Sequence, residues 1–486
     1  AIATTIKMIA TTVRSATRIV SQYGRRSALS SSTSISDKSA ASSSCCSISA
    51  IRCSSSAALN NDAASPPPPP SAQTTSTPHN VYMWGTSKQG TIPLSLLQEG
   101  GASASSGGMF STGNEKIVDH PMSLNLDQGA LTSFLGDDND NNTTDDDDDA
   151  TKLQQIFCGA TGTAVVLNDG RCFVFGSNKN GELGIGKGPK STETPVHVPL
   201  PDPVAKVSLG PNFSAFLTTT GDLYTCGYGG SAVNGMGCLG HGNMESYQSP
   251  KLVNSLVEDG CYAADVHCGE YSMTVLTTEG EVLTCGTGSF GRLGNMETLD
   301  QLYLEPVEMI AGDDVVQIAS GFAFSLALNK GGIIHAWGKN NEGQLGAGVG
   351  LAVDVYAMES LPTPIEGLLE GRKVTRIAAG HSHAAAVTST GELFTWGMHM
   401  DHEPKLENSL LHTKIVDVAC GQNYTLALDQ EGRLYSLGKG KTGVLGLAST
   451  KMTPQPILVE GIPAEEKVVT MSAGWTHVAC TTALSE

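Results

Sequence analysis

From residue 159 onward, short apolar stretches return at a fixed rhythm. Gly159 and Gly176 stand 17 residues apart, and so do Gly210 and Gly227, Gly269 and Gly286, Gly321 and Gly338, Gly380 and Gly397, and Gly421 and Gly438. A further glycine follows each first one by 11 residues, at Gly170, Gly221, Gly280, Gly332, Gly391 and Gly432. Between the first and this second mark lie "TAVVL", "SAFLT", "SMTVL", "FSLAL", "HAAAV" and "YTLAL". Beyond it lie "RCFVFG", "DLYTCG", "EVLTCG", "GIIHAWG", "ELFTWG" and "RLYSLG". Runs this short and this evenly spaced predict strands, not helices. Each bracket predicts a β-hairpin whose middle glycine takes the turn position that needs positive φ.

Past each hairpin a second signature recurs. It reads Gly181-Glu182-Leu183-Gly184, Gly237-Cys238-Leu239-Gly240, Gly291-Arg292-Leu293-Gly294, Gly343-Gln344-Leu345-Gly346 and Gly443-Val444-Leu445-Gly446. Leucine can plug a core there while the glycines let backbones approach. A variable loop follows, then a strand such as "VAKVSLG", "VTRIAAG" or "VVTMSAG" that leads into the next bracket. The unit spans 41 to 59 residues with about four strands, the size of one propeller blade. First halves number seven, at glycines 159, 210, 269, 321, 380, 421 and 474; second halves also number seven, counting Trp84-Gly85. The unmatched halves are "NVYMWG" (80–85) and "GWTHVACTTAL" (474–484), from the two ends of the region. The chain is therefore expected to form an all-β, seven-bladed β-propeller over 80–486, closed by pairing of its N- and C-terminal strands, which removes open sheet edges.

Trp-Gly strand ends, Gly-x-Leu-Gly turns and Gly-x-x-His starts together resemble the regulator-of-chromosome-condensation repeat family, over about 80–486. The resemblance implies a seven-bladed propeller that binds proteins, with guanine-nucleotide exchange on a small GTPase as one activity of the family. Two blades depart from the pattern. "GMHMDHEPK" stands where the blade from Gly380 should carry Gly-x-Leu-Gly, and "GTSKQGTIPL" is a degenerate version.

Charge divides the chain into regions. Residues 1–60 hold seven Lys/Arg against one acid, Asp37. In "TIKMIATTVRSATRIV" (5–20), Ile6, Ile9, Val13, Ala16 and Val20 share one helical face, and Lys7, Arg14 and Arg18 lie on another. A basic amphipathic helix followed by Ser-rich sequence predicts an organelle transit peptide over 1–60. The basic helix favours the mitochondrion, in the matrix or facing it, and with it the family's mitochondrial branch; the abundance of Ser and Thr keeps the plastid as the alternative. Residues 61–79, with "SPPPPP", are expected as a disordered Pro-rich linker. Residues 101–150 carry "GASASSGG" and "DDNDNNTTDDDDD", which predict a disordered acidic insertion. A net charge of -19 argues against direct DNA binding. No apolar run approaches the ~18 residues of a membrane span.

Reactive residue types in the chain have weak contexts. Twelve cysteines form no Cys-x-x-Cys pair, as expected of reduced thiols in a non-secreted protein. "GHSHA" (380–384) offers His381, Ser382 and His383 as a nucleophile turn or metal pair, but it fills the same frame as "GATGT" and "GPNFS". "GMGCLG" lacks the strand and helix of a dinucleotide site, "GKGKTG" has Tyr435 where a phosphate loop needs glycine, and His399, His402 and Glu403 read as a solvated loop. Three of the four tryptophans are strand ends, which excludes a stacked-tryptophan light sensor. No catalytic residue, cofactor or metal is expected. The loop 228–237 makes its connection, 228–240, five residues longer than the counterpart "SNKNGELG" (177–184), and Tyr228, Ser231, Val233, Asn234 and Met236 are its candidate partner contacts. The expected function is a non-catalytic protein-interaction scaffold or regulator, with exchange on a small organellar GTPase as the alternative that the resemblance implies.

Overall fold

In five of the seven blades the strand that opens the hairpin has no solvent side. Gly162–Leu167, Phe213–Thr218, Ser272–Thr277, His383–Thr388 and Tyr424–Asp429 are buried at every position. A strand covered on both faces reads as a continuous apolar run instead of an alternating one. Here the cover is another sheet on each side. The computed structural model describes residues 80–94, 97–98, 110–112, 115–124, 153–231, 233, 235–348, 357–398 and 400–484. The expected transit peptide and linker lie outside these residues.

Six four-stranded antiparallel sheets follow one another along the chain. Blade 1 comprises Leu153–Cys158, Gly162–Leu167, Cys172–Ser177 and Ser191–Val198. Blade 2 comprises Val204–Leu209, Phe213–Thr218, Leu223–Gly227 and Tyr247–Leu252. Blade 3 comprises Ala263–Cys268, Ser272–Thr277, Val282–Gly286 and Gln301–Pro306. Blade 4 comprises Val315–Ser320, Phe324–Asn329, Ile334–Lys339 and Met358–Pro364. Blade 5 comprises Val374–Ala379, His383–Thr388, Leu393–Gly397 and Asp401–Leu406. Blade 6 comprises Ile415–Cys420, Tyr424–Asp429, Leu434–Gly438 and Thr453–Leu458. Blade 7 takes Glu466–Ala473 and His477–Leu484 from one end of the region and Asn80–Thr86 and Glu115–Leu124 from the other. Asn80 pairs with Thr482 and Gly85 with His477, the closure the unmatched half-repeats predict.

Glu115–Leu124 corrects one expectation, because it lies inside the span 101–150 read as disordered. Like-charge repulsion belongs to the aspartate run further on. The strand itself buries Val118, Met122 and Leu124 and supplies the outer partner that Asn80–Thr86 would otherwise lack. Its register breaks between Met83 and Gly85, so Pro121 falls at an irregularity of the ladder, where a missing N–H is tolerated. Residues 125–152, with the aspartates, lie outside the described residues.

In every blade the first-to-second and third-to-fourth connections leave from one face, called upper here. The hairpin turns and blade-to-blade links lie on the lower face. The hairpin glycines Gly170, Gly221, Gly280, Gly332, Gly391 and Gly432 hold φ between +81° and +90°, as the turn requires. The first glycines have another reason. A Cβ on Gly321 or Gly380 would meet the carbonyl of the next blade's glycine at 2.4 Å, on Gly421 at 2.6 Å and on Gly474 at 2.5 Å. These glycines ring the centre of the propeller, Gly159 pressed against Leu209 of the next blade and the other six against the next glycine. The core lies in the seams between blades: Leu345 of blade 4 packs with Phe394 and Trp396 of blade 5, and Leu445 of blade 6 with Trp84 of blade 7.

Two predictions follow from closure and turn geometry. Deleting residues 474–486 exposes both edges of blade 7, and the truncated protein should lose its cooperative melting transition or aggregate; melting identical to the full chain would contradict the closure. Gly391→Val places a β-branched residue at φ +89°, with its Cβ 2.5 Å from Lys414 Cγ. Urea unfolding should show a loss of about 1–3 kcal/mol or more.

Candidate interaction site at the mouth of the central channel

The residue after each first glycine faces the upper mouth of the channel. In blade order these are Ala160, Pro211, Glu270, Phe322, His381, Gln422 and Trp475. Backbone hydrogen bonds hand the ring from blade to blade: Glu270 N–H to Phe322 O at 3.1 Å, Phe322 N–H to His381 O at 3.3 Å and His381 N–H to Gln422 O at 3.3 Å. Three of the ring side chains are brought together. Phe322 stacks on His381 with centroids 4.2 Å apart, and Trp475 meets His381 at 5.7 Å and Phe322 at 6.1 Å. All three are partly exposed.

Charge continues the arc. Glu270 lies 3.8 Å from Arg292, whose side chain is only 4% exposed. Arg292 and Lys339 both approach the ring of Phe290, at 5.8 and 5.1 Å. Phe290 holds φ +63°, a strained conformation for a bulky residue. Burial pushes the Glu270 carboxyl upward, partly offset by Arg292 and Lys339. Tyr271, beside Glu270, meets Tyr228 edge-on at 6.1 Å. The result is a crescent of aromatic and charged groups across blades 2 to 5, completed by Trp475.

The expected contact loop adjoins this crescent. Gly230–Ser231 and Gly235–Met236 pair as a small hairpin, and Val233 at its tip is 91% exposed. A Cβ on Gly235 would meet Thr287 of blade 3 at 2.3 Å, so the hairpin leans on the neighbouring blade. Tyr228 anchors its base, partly buried against the seam core. Asn234 lies outside the described residues. The sequence reading missed Phe322, His381, Trp475, Glu270, Arg292, Lys339 and Phe290 as a group; the aligned frames "GFAFS", "GHSHA" and "GWTHV" carry the signal for three of them.

His381, Ser382 and His383 do different work. His381 Nδ1 lies 2.8 Å from Ser382 Oγ, and burial lowers the His381 pKa. Ser382 is 5% exposed. His383 Nε2 lies 3.1 Å from Tyr424 O, a stitch from blade 5 to blade 6. His477 makes the corresponding stitch from blade 7 to blade 1. Thr163 donates its hydroxyl proton to Thr91 O at 2.9 Å, so it accepts from His477 Nε2–H at 2.8 Å. Both histidines are held neutral by burial, with pKa values lowered to about 4 for His383 and about 3 for His477.

The channel behind the mouth holds a cavity of about 330 Å³ lined by the innermost strands. Its charges pair with one another. Lys206 bonds Asp265 and lies 3.1 Å from His267, Arg376 lies 3.8 Å from Asp417, and Gln317 clasps the backbone of Ile377 at 2.9 and 3.0 Å. Burial raises the thiols of Cys158, Cys268 and Cys420 to about 12, which keeps them protonated. His402 and Glu403 are exposed on the outer strand of blade 5, and His399 lies outside the described residues. Among the described residues no three His, Cys, Asp or Glu side chains are placed to hold a metal, and no helix is long and apolar enough to cross a membrane.

The glycine ring, leucine-plugged turns and end-to-end closure define a propeller of the chromosome-condensation-regulator type. The chain belongs to the RCC1 family: residues 77–407 match the RCC1-like domain and residues 431–481 the RCC1 repeat. It is 30% identical over 351 residues to the E3 ubiquitin-protein ligase HERC2 of Homo sapiens, covering 68% of this chain and 7% of that protein. It is 27% identical to the ultraviolet-B receptor UVR8 of Arabidopsis thaliana over 68% of this chain and 75% of the receptor. It is 30% identical to the secretion-regulating guanine nucleotide exchange factor of Bos taurus, over 56% of this chain and 60% of that protein. In structure it resembles Prp20p of Saccharomyces cerevisiae, with TM-score 0.66 at 21% identity, covering 84% of this chain and 92% of Prp20p. Human WBSCR16 gives TM-score 0.65 at 21% identity, covering 84% and 99%.

The neutral histidines predict an acid-sensitive fold. Above pH 6.5 neither the folded nor the unfolded chain protonates them. Between 6.5 and the folded values the unfolded chain binds protons that the folded chain refuses, so stability falls as pH falls and the loss is complete below the folded values. At pH 5 each histidine should cost on the order of 1–2 kcal/mol. Urea midpoints at pH 7.5 and 5.0 check this, and His477→Gln should reduce the difference by about half.

Proposed function

We propose that this protein is a non-catalytic propeller that holds or regulates a protein partner through its upper face. The observation that carries this reading is the crescent of Trp475, Phe322, His381, Tyr271, Glu270, Arg292 and Phe290. Partly exposed aromatic side chains set among charged and polar neighbours match the aromatic enrichment of an interface hot spot. A rigid ring holds these groups in fixed relative positions. The basic amphipathic helix expected at 5–20 supports action in the mitochondrion, in the matrix or facing it, with the plastid as the alternative.

A second reading, guanine-nucleotide exchange on a small organellar GTPase, is favoured by the identity to the secretion-regulating guanine nucleotide exchange factor. Exchange requires a rigid face that displaces the nucleotide's phosphate and magnesium contacts, and it needs no acid–base pair.

Partner recovery from isolated organelles tests the first reading. The Phe322→Ala/Trp475→Ala double variant should recover at least about tenfold less of the partner, a loss of about 1.4 kcal/mol or more, with an unchanged melting temperature. Equal recovery would remove the crescent from the interface. Ser382→Ala should leave binding intact in the folded protein; its loss would make Ser382 functional. Shortening the connection 228–240 to the length of "SNKNGELG" should weaken capture without lowering thermal stability. Acceleration of labelled GDP release from a candidate organellar GTPase, abolished by the double variant, would favour the second reading. Lys7, Arg14 and Arg18 changed to Glu should block import into mitochondria, and normal import would exclude the targeting reading.

A further inference from the structure

Six of the seven seams between blades are capped by one device. A turn from one blade inserts Ile92, Leu183, Leu239, Leu293, Leu345 or Leu445, each 0–1% exposed, beside the next blade. The turn's backbone rests on that blade's outer strand. A Cβ on Gly90, Gly181, Gly237, Gly291, Gly343 or Gly443 would come within 3.0 Å of Thr192, Gln248, Leu302, Ser360, His402 or Ile117. The third strand of the next blade often answers with a donor. Trp84 Nε1 donates to Val444 O at 2.9 Å, Trp337 Nε1 to Arg292 O at 3.1 Å and Trp396 Nε1 to Gln344 O at 3.0 Å. Cys226 and Cys285 take the same position, with sulfurs 3.6 and 3.8 Å from the Glu182 and Cys238 carbonyls.

The seam between blades 5 and 6 has no such turn. Residues 398–400 alone separate Gly397 from the outer strand at Asp401. The residue in the donor position is Leu437, whose side chain has no donor. It is 7% exposed, against 0–2% for Trp84, Phe175, Cys226, Cys285, Trp337 and Trp396. Polar bonding has adjusted as well. Thr225, Thr284 and Ser436 donate to the carbonyl of their own blade's plug leucine at 2.7–2.9 Å, whereas Thr395 donates to Glu407 Oε1 at 2.6 Å. What remains is an open groove with a cavity of about 50 Å³, walled by Trp396, Met398, Met400, Leu437, Met452 and Pro454. Met400 and Met452 are each 48% exposed. Glu407 also lines it, 7% exposed. Lys405 bonds Asp401 at 3.2 Å, so those two charges offset one another, and the Glu407 carboxyl, which burial pushes up, is left to be met by a cation that would favour its charged form.

We propose that this groove is a docking site for a leucine-bearing turn on a partner protein, with a basic residue beside the leucine. The six filled seams show the shape that fits. The carboxylate sets the charge, as Gly291-Arg292-Leu293-Gly294 would match it and Gly181-Glu182-Leu183-Gly184 would not. Unbranched methionines on the walls adapt to an incoming side chain. A second copy of the chain is a poor occupant, because its described plug residues are already buried in its own seams. The site is separate from the crescent, and its test does not depend on the function proposed above.

The probe is a cyclic peptide with the sequence of residues 289–295, SFGRLGN, titrated into the full chain labelled at methionine methyl groups. The Met398, Met400 and Met452 resonances, assigned by single Met→Leu variants, should shift saturably. Peptides with Leu→Asp or Arg→Glu should bind at least about tenfold more weakly. Met400→Glu/Met452→Glu should weaken the parent peptide by a similar factor at unchanged melting temperature. Replacing 398–400 with the sequence of residues 340–348, NNEGQLGAG, should raise the melting temperature and abolish peptide binding, because the seam is then filled in cis. No saturable shift into the millimolar range, equal binding of the Leu→Asp peptide, or binding that survives the replacement would each overturn the proposal. Shifts that appear without peptide and follow dimerisation would assign the groove to a second copy, and would overturn it too.

Discussion

The contact on which the disc depends is glycine against carbonyl at its centre. Each first glycine sits where any Cβ would lie 2.4–3.1 Å from a backbone oxygen of the next blade. That approach fixes how closely the innermost strands converge and leaves the adjacent position free to vary. The three residues after each first glycine divide the labour. The third is stitched across the seam, as His383, Tyr424 and His477 are. The first faces the channel mouth and has no such duty. Glu270, Phe322, His381 and Trp475 occupy it in four different blades. The crescent is therefore a set of substitutions the ring tolerates, brought together because the ring is tight.

The repeat was legible because its marks are local. Spacings of 17 and 11 residues between glycines can be counted without knowing any contact. Closure was legible for the same reason, since two half-repeats were left over. The strand Glu115–Leu124 was not, because its place depends on pairing with Asn80–Thr86, and the sequence after it is dominated by aspartates. The crescent was hidden in another way. Phe322 and His381 are 59 residues apart in sequence, yet their rings stack at 4.2 Å, and only the equivalence of their frames predicts that they meet. Tyr228 is a candidate contact by its place in a lengthened loop, but the structure sets it at the loop's base, and its approach to Tyr271 across a blade boundary has no sequence signature.

The channel shows why a chain of net charge -19 need not be an ion-binding protein. Lys206 faces Asp265 and Arg376 lies near Asp417, so the charges on its wall offset one another. Desolvation opposes the attraction of the more buried Lys206–Asp265 pair, and solvent screens the partly exposed Arg376–Asp417 pair, so neither contributes much net stability. Their effect is on what the cavity can attract: among the described residues these two pairs offset one another's charge on its wall. Recognition is left to the faces, where the loops are.

The two faces differ in how far they can vary. On the lower face the hairpin turns are held by glycines at φ +81° to +90°, and each turn has one short form. On the upper face the third-to-fourth connection tolerates both addition and loss. Blade 2 adds a small hairpin there, and blade 5 reduces the same connection to three residues. Neither change disturbs the seams elsewhere, because each plug is held by its own turn and the blade that follows. A propeller closed through its ends can lose one plug and remain a ring, since the glycine contacts and the terminal pairing still hold its circumference. The blade 5 departure is thus affordable to the fold, and it leaves exposed methionines and a buried carboxylate where every other seam is shut.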